Sequence, residues 1–256
     1  MTSDLPLARR DLIAQRLAAG QPVVAATLAA EFVVSEDAIR RDLRALAAEG
    51  RCRRVYGGAL PPAAGAPAIA QRLGEGRERK QALARAAAAT VRPGEFVFLD
   101  AGSTNLALVE YLPEDADLTV ATNSIDIAAA LLRRQDLRLL MVGGSVDLLV
   151  GGCVDASALL AVQRLNIARC FLGACALSPE TGASAHDAAD AEFKRALVGA
   201  SRRLLVLATN DKLGALAAHR VAPVAAFDTV VLEPDADTAL QAALAAAGAN
   251  IVHARA

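Results

Sequence analysis

The sequence predicts an α/β protein in two parts: a small N-terminal all-α module carrying a wing, then a larger open sheet that is mostly parallel. Three observations lead there. Three segments with helical spacing crowd into the first 50 residues. A stretch without any period, "PPAAGAPA", follows at residues 61–68. Beyond it, seven short apolar runs alternate with helical ones, the pattern of strands buried on both faces.

In chain order, "ARRDLIAQRLAAG" places Leu12, Ile13, Leu17 and Ala18 at helical spacing, and Gly20 ends it. After Pro22, "VVAATLAAEF" reads as a second short helix and "VVS" as a tight connection. Ser35 is a suitable N-cap for a third helix running to about Glu49. Two helices joined so closely form a helix-turn-helix unit, expected at about residues 23–42. Ile39, Leu43, Leu46 and Ala47 share one face of the third helix, which leaves Arg40, Arg41 and Arg44 free to face a partner. Gly50 stops that helix, and "RCRRVYGGAL" follows as a short wing whose Gly57-Gly58 pair permits a turn. The expected division is a winged helix-turn-helix domain over 1–60, a linker over 61–74 and an α/β domain over 75–256. "GRERKQALARAAAATV" opens the α/β domain as a helix. The strands expected after it are "FVFLD", "LTVAT", "LRLLMVG", "RCFLGA", "RLLVLAT", "DTVVLE" and "NIVHA".

With 27 basic and 28 acidic residues the chain is no globally basic nucleic-acid coat, yet Ser35 to Gly58 holds six arginines against four acids. No apolar run reaches the length of a membrane helix, and the N-terminus lacks the order of a secretory signal, so the expected location is cytoplasmic. Cys52, Cys153, Cys170 and Cys175 are scattered without CxxC spacing, and His186, His219 and His253 lie far apart, so no metal and no cofactor are assigned.

The strand ends carry the chemistry. "FVFLD" runs into Asp100-Ala101-Gly102-Ser103-Thr104 and "LTVAT" into Thr122-Asn123-Ser124, each ahead of a helix where an anion is favoured. "LRLLMV" ends in Gly143-Gly144, where backbone can approach a ligand, and "RLLVLAT" leads to Lys212, a cation. No G-x-G-x-x-G follows a strand, so a small phosphorylated ligand fits better than a dinucleotide.

The chain resembles the DeoR-type bacterial transcription regulators over almost its whole length. The resemblance rests on "VSEDAIRRDLRALAAEGRCRRVYGGAL", then Arg72 and Lys80 in "QRLGEGRERKQALARAAA", "LDAGSTNLAL", "TVATNSIDIAAAL", Gly143-Gly144, "FLGACALSPETGASAHDAADAEFKRALV" and "LATNDKLG". It implies a winged helix-turn-helix that reads operator DNA, joined to a sensor of phosphorylated sugars or related metabolites similar to ribose-phosphate isomerase and CoA-transferase-like folds. Carried over by position, the implied effector site comprises Asp100, Gly102, Ser103, Thr104, Thr122, Asn123, Ser124, Gly143 and Gly144, with Glu192, Lys194 and Lys212 nearby. The implied DNA contacts come from Ser35, Arg40, Arg41, Arg44, Arg51, Arg53 and Arg54. Three features depart from the family. Ala38 stands where Thr is usual, "SVDLLVGG" is shorter, and Ala208-Thr209-Asn210-Asp211-Lys212 keeps the lysine but moves a carboxylate by two positions.

The expected function is a repressor of a carbohydrate catabolic operon, no enzyme, working as a homo-oligomer because operators are commonly read as paired half-sites. The competing class is a sugar-phosphate isomerase-like enzyme carrying a DNA-binding module, which would need a positioned carboxylate base.

Overall fold

A computed structural model of the chain describes residues 6–19, 21–49, 51–60 and 69–255. The chain forms two compact units, Met1–Gln71 and Arg72–Ala256. Residues 61–68 of the expected linker lie outside the described residues.

The first unit is built from α1 (Pro6–Ala18), β1 (Val23–Val24), α2 (Ala25–Glu31), α3 (Glu36–Ala48), β2 (Arg53–Val55) and β3 (Gly58–Leu60). The expected second helix begins later than its apolar pattern suggests. Val23 and Val24 are β-branched and leave the helix to pair with Ala59 and Gly58 of β3, so the wing becomes a three-stranded antiparallel sheet of order β1-β3-β2. Gly58 is required there, because a Cβ on it would stand 2.1 Å from the Val23 carbonyl oxygen. Ile13, Leu17, Leu28, Ile39, Leu43 and Leu46 form a core of their own with Val23 and Ala59. Beneath it Asp42 of α3 is buried and accepts a 2.7 Å hydrogen bond from Arg9 Nε of α1, tying the first and third helices together. The connection between α2 and α3 turns at Val33, whose φ of 52° is left-handed and whose side chain is 89% exposed.

The second unit contains α4 (Ile69–Gly74) from Arg72 onward, α5 (Arg77–Ala88), β4 (Phe96–Leu99) and α6 (Ser103–Leu108). Then come β5 (Leu118–Thr122), α7 (Ile125–Leu131), β6 (Leu137–Met141), β7 (Val146–Asp147), β8 (Gly152–Cys153) and α8 (Ala156–Val162). The remainder is β9 (Arg169–Leu172), β10 (Ala176–Ser178), β11 (Gly182–Ala185), α9 (Ala188–Ala200), β12 (Leu204–Ala208), β13 (His219–Ala222), β14 (Thr229–Leu232), α10 (Thr238–Ala246) and β15 (Ile251–His253).

All seven expected strands join one parallel sheet, ordered β15-β14-β12-β9-β4-β5-β6. Their uninterrupted apolar runs have a packing cause. Phe171, Leu205 and Leu207 enter the core on one face with Val97 and Leu99, while Cys170, Leu172 and Val206 enter the core on the other with Phe98 and Phe193. A small antiparallel sheet of order β10-β11-β13 and the β7-β8 hairpin complete the unit. Among the described residues no helix is long and apolar enough to cross a membrane.

Candidate ligand pocket and nucleic-acid interface

The chain runs outward from β4 through β5 to β6 and, separately, outward from β9 through β12, β14 and β15. Between β4 and β9 the winding reverses, and in open α/β sheets a reversal of this kind splays the connections apart and leaves a crevice at the carboxyl ends of the strands. The residues following β4, β5, β9 and β12 meet at this edge.

Asp100 sits at its floor, fully buried. Its Oδ2 accepts hydrogen bonds from Gly173 N at 2.8 Å and from Lys194 Nζ at 2.8 Å, and its Oδ1 accepts one from Ala101 N at 2.9 Å. Lys194 also pairs with Asp190, one helical turn earlier on α9, at 2.7 Å. Burial pushes the Asp100 carboxyl above the usual carboxylate range despite the ammonium beside it. Burial works against the charge on Lys194, but Asp100 and Asp190 together outweigh it and hold the amine firmly protonated.

Several expected ligand residues brace the strand ends through their polar atoms. Thr122 Oγ1 donates to Leu99 O at 2.6 Å and accepts from Ser124 N. Asn123 accepts from Ala101 N at 3.0 Å and donates to Cys153 O at 3.1 Å. Ser124 caps α7 by accepting from Ile127 N. Asn105, which sequence reasoning passed over inside "LDAGSTNLAL", donates to both Asp100 O and Phe171 O and so clamps β4 to β9. Gly144 makes room for Asp155, whose Oδ1 would lie 2.3 Å from an added Cβ and which caps α8. Gly102 precedes α6, and Ser103 and Thr104 are buried in its first turn, where the Thr104 hydroxyl has no hydrogen-bond partner.

Glu192 is not brought to the crevice. On α9 Lys194 faces inward while Glu192, two residues earlier, is exposed and pairs with Arg195 at 2.6 Å.

The mouth of the crevice is cationic. Lys212, in the turn after β12, is desolvated and lies near Arg72 and Lys80, which together push its amine down to about 8 against the opposing pull of Cys175 and Asp211. Burial likewise lowers Arg72, whose electrostatic neighbours include Asp100, Asp190 and Cys175. One Arg72 nitrogen donates to Leu149 O, and its buried Nε has no hydrogen-bond partner. Lys80 donates to the carbonyls of Arg72 and Glu75 and is lowered by burial. Asp211, the displaced carboxylate, turns outward to Arg79 at 3.6 Å. Arg72 and Lys80 precede the first strand of the sheet, so only the family pattern, and no strand-end rule, could have marked them.

In the first unit, Ser35 caps α3 by accepting from Ala38 N at 3.3 Å. Arg40, Arg41 and Arg44 are exposed along α3, with Arg40 leaning back on Glu36 at 2.7 Å. Arg51 and Arg54 are exposed on the wing, Arg51 with Glu49 at 3.6 Å, while the side chain of Arg53 lies outside the described residues.

Residues 9–62 match the sequence pattern of the DeoR-like helix-turn-helix domain, and residues 75–233 that of the DeoR C terminal sensor domain. An uncharacterized HTH-type transcriptional regulator, YgbI of Escherichia coli (strain K12), is 31% identical over 90% of each chain. The glycerol-3-phosphate regulon repressor of the same organism is 27% identical over 79% of this chain and 81% of its own. Among solved structures, ribose 5 phosphate isomerase A from Neisseria gonorrhoeae is 16% identical over 53% of both chains, with a TM-score of 0.39.

Proposed function

The chain belongs to the DeoR family of transcriptional regulators, and from that premise we propose that it represses a carbohydrate catabolic operon by binding operator DNA, under the control of a phosphorylated sugar or related metabolite. The DNA contacts come from α3 and the wing, through Ser35, Arg40, Arg41, Arg44, Arg51, Arg53 and Arg54. The effector contacts come from the crevice, through Gly102, Ser103, Thr104, Asp100 with Lys194, and the cations Arg72, Lys80 and Lys212. The observation that carries the sensing half is that mouth. Three cationic side chains are desolvated there, Lys80 is lowered further by Arg72, and Lys212 further by Arg72 and Lys80, so a phosphate ester would relieve all three.

The isomerase reading needs a carboxylate free to accept a substrate proton. Asp100 instead spends both oxygens on Ala101, Gly173 and Lys194, which supports sensing over turnover. Cytoplasmic location and a homo-oligomer reading paired half-sites complete the proposal.

The test is enrichment of duplexes from a randomised pool by the full chain, followed by salt-controlled titration of the enriched sequence. Arg40→Ala and Arg41→Ala should each weaken binding by about tenfold or more, with a shallower salt slope where the lost contact was to phosphate. Wild-type affinity in both variants would remove α3 from the interface. Release of the duplex by glycerol 3-phosphate or another phosphorylated sugar, lost in Lys212→Ala, checks the pocket, and steady conversion of ribose 5-phosphate would restore the enzyme reading.

A further inference from the structure

The first unit carries an aromatic side chain that its fold does not use. Tyr56 stands at the tip of the wing and is wholly exposed, in a unit whose other large apolar groups mostly supply its core. Leaving an aromatic ring in water forfeits burial that would otherwise stabilise the unit.

The tip is rigid. Val55 pairs with Gly58 across a two-residue turn, Tyr56-Gly57, and Gly57 takes a left-handed φ of 79°. The Gly57 carbonyl accepts a 2.8 Å hydrogen bond from Ala25 N at the start of α2, and Gly58 is wedged against the Val23 carbonyl. The ring is therefore presented from a fixed platform rather than from a loose loop, so little conformational entropy remains to be lost when it is covered.

The surroundings say what covers it. The wing segment from Arg51 to Leu60 holds three arginines and no acidic residue, so its charge suits a polyanion and not a second apolar protein surface. Only Glu49 to Cys52 separates the end of α3 from β2, so a duplex seated on α3 brings its flanking backbone to the wing.

We propose that Tyr56 is a specificity-determining residue that packs its ring on a deoxyribose and base edge in the minor groove beside the segment read by α3. An uncharged ring reads groove width and base-pair identity there without adding to the ionic part of binding. This rests on the DNA-reading assignment above, and the experiment separates the two.

The wild type, Tyr56→Phe and Tyr56→Ala chains each enrich duplexes from the same randomised pool. Wild type and Tyr56→Phe should return one motif with a preference for A·T or G·C in its flanks. Tyr56→Ala should return the central motif with the flanking preference gone and bind about tenfold more weakly at an unchanged salt slope. The chain has no Trp and its only other tyrosine is Tyr111, so in Tyr111→Phe the wing ring is the sole fluorophore and its emission should change on adding the enriched duplex. A Tyr56→Ala chain with wild-type motif and affinity, or unmoved emission from Tyr56, overturns this proposal alone. A wild-type chain that enriches no sequence overturns it together with the reading it rests on.

Discussion

Replacing Lys194 with Met should destabilise the sensor unit strongly, and more at alkaline than at acidic pH. Lys194 is 2% exposed and lies 2.8 Å from Asp100 and 2.7 Å from Asp190. At an effective dielectric constant of about 20, each attraction is worth roughly 6 kcal/mol before desolvation is subtracted. Losing the amine leaves two buried carboxylates facing each other, and breaking a buried pair in this way costs about 3–5 kcal/mol. For a unit of this size that lowers the midpoint of its thermal transition by roughly 10 °C. The penalty is proton-linked. Asp100 already titrates above its unfolded value, and without the ammonium it must rise further. A carboxyl with a raised folded pKa binds protons more tightly folded than unfolded. Its contribution to stability is therefore complete below the unfolded value of about 4 and is lost as pH rises through the folded value. The deficit of Lys194→Met relative to wild type should accordingly shrink by about 1.4 kcal/mol for each pH unit between the variant's folded value and the lower folded value of the wild type. Scanning calorimetry of the full chain at pH 8 and pH 5 measures both terms. A midpoint within about 2 °C of wild type at both pH values would refute the account of Asp100, Lys194 and Asp190 as one charge cluster.

Two further outcomes follow from the geometry. Val33→Gly should raise the stability of the first unit by up to about 1 kcal/mol, because a β-branched residue at φ 52° pays left-handed strain while its exposed side chain returns almost nothing; a lower midpoint for its thermal transition would contradict this. Lys212 loses its charge near pH 8, so the affinity for a phosphate ester, measured by calorimetry, should fall between pH 7 and pH 9 by up to about tenfold. Lys212→Arg should flatten that dependence, and an unchanged slope in the variant would assign the proton elsewhere.

The sequence announced the large sheet because burial on both faces writes itself as continuous apolar runs such as "RLLVLAT". It was silent on β7, β8, β10 and β11, which are two to four residues long and built partly of small residues, as in "GASA", where packing by neighbours rather than intrinsic preference sets the conformation. Ser35 was legible as a cap because a cap is a local interaction. The partner of Asp42 was not, since Arg9 lies 33 positions away and only the packing of α1 on α3 brings it close. The pocket divides the same way. Its small residues announced themselves at strand ends, but hydrogen-bond direction decides whether Thr122 and Asn123 brace the strands or face a ligand, and one sequence does not record direction. Lys194 and Glu192 were separable only once α9 fixed which of the two turned inward.

The strand order carries a consequence for synthesis. Residues leave the ribosome in sequence order, so the first unit and then β4, β5 and β6 are complete while the inner edge of β4 still waits for β9, about 70 residues later. Until Gly173 and Lys194 arrive, Asp100 Oδ2 has neither its backbone donor nor its counter-ion, and β4 offers unpaired backbone to any passing strand. A nascent or truncated chain that stops short of β9 thus carries the arginine-bearing module together with an unpaired, adhesive strand edge.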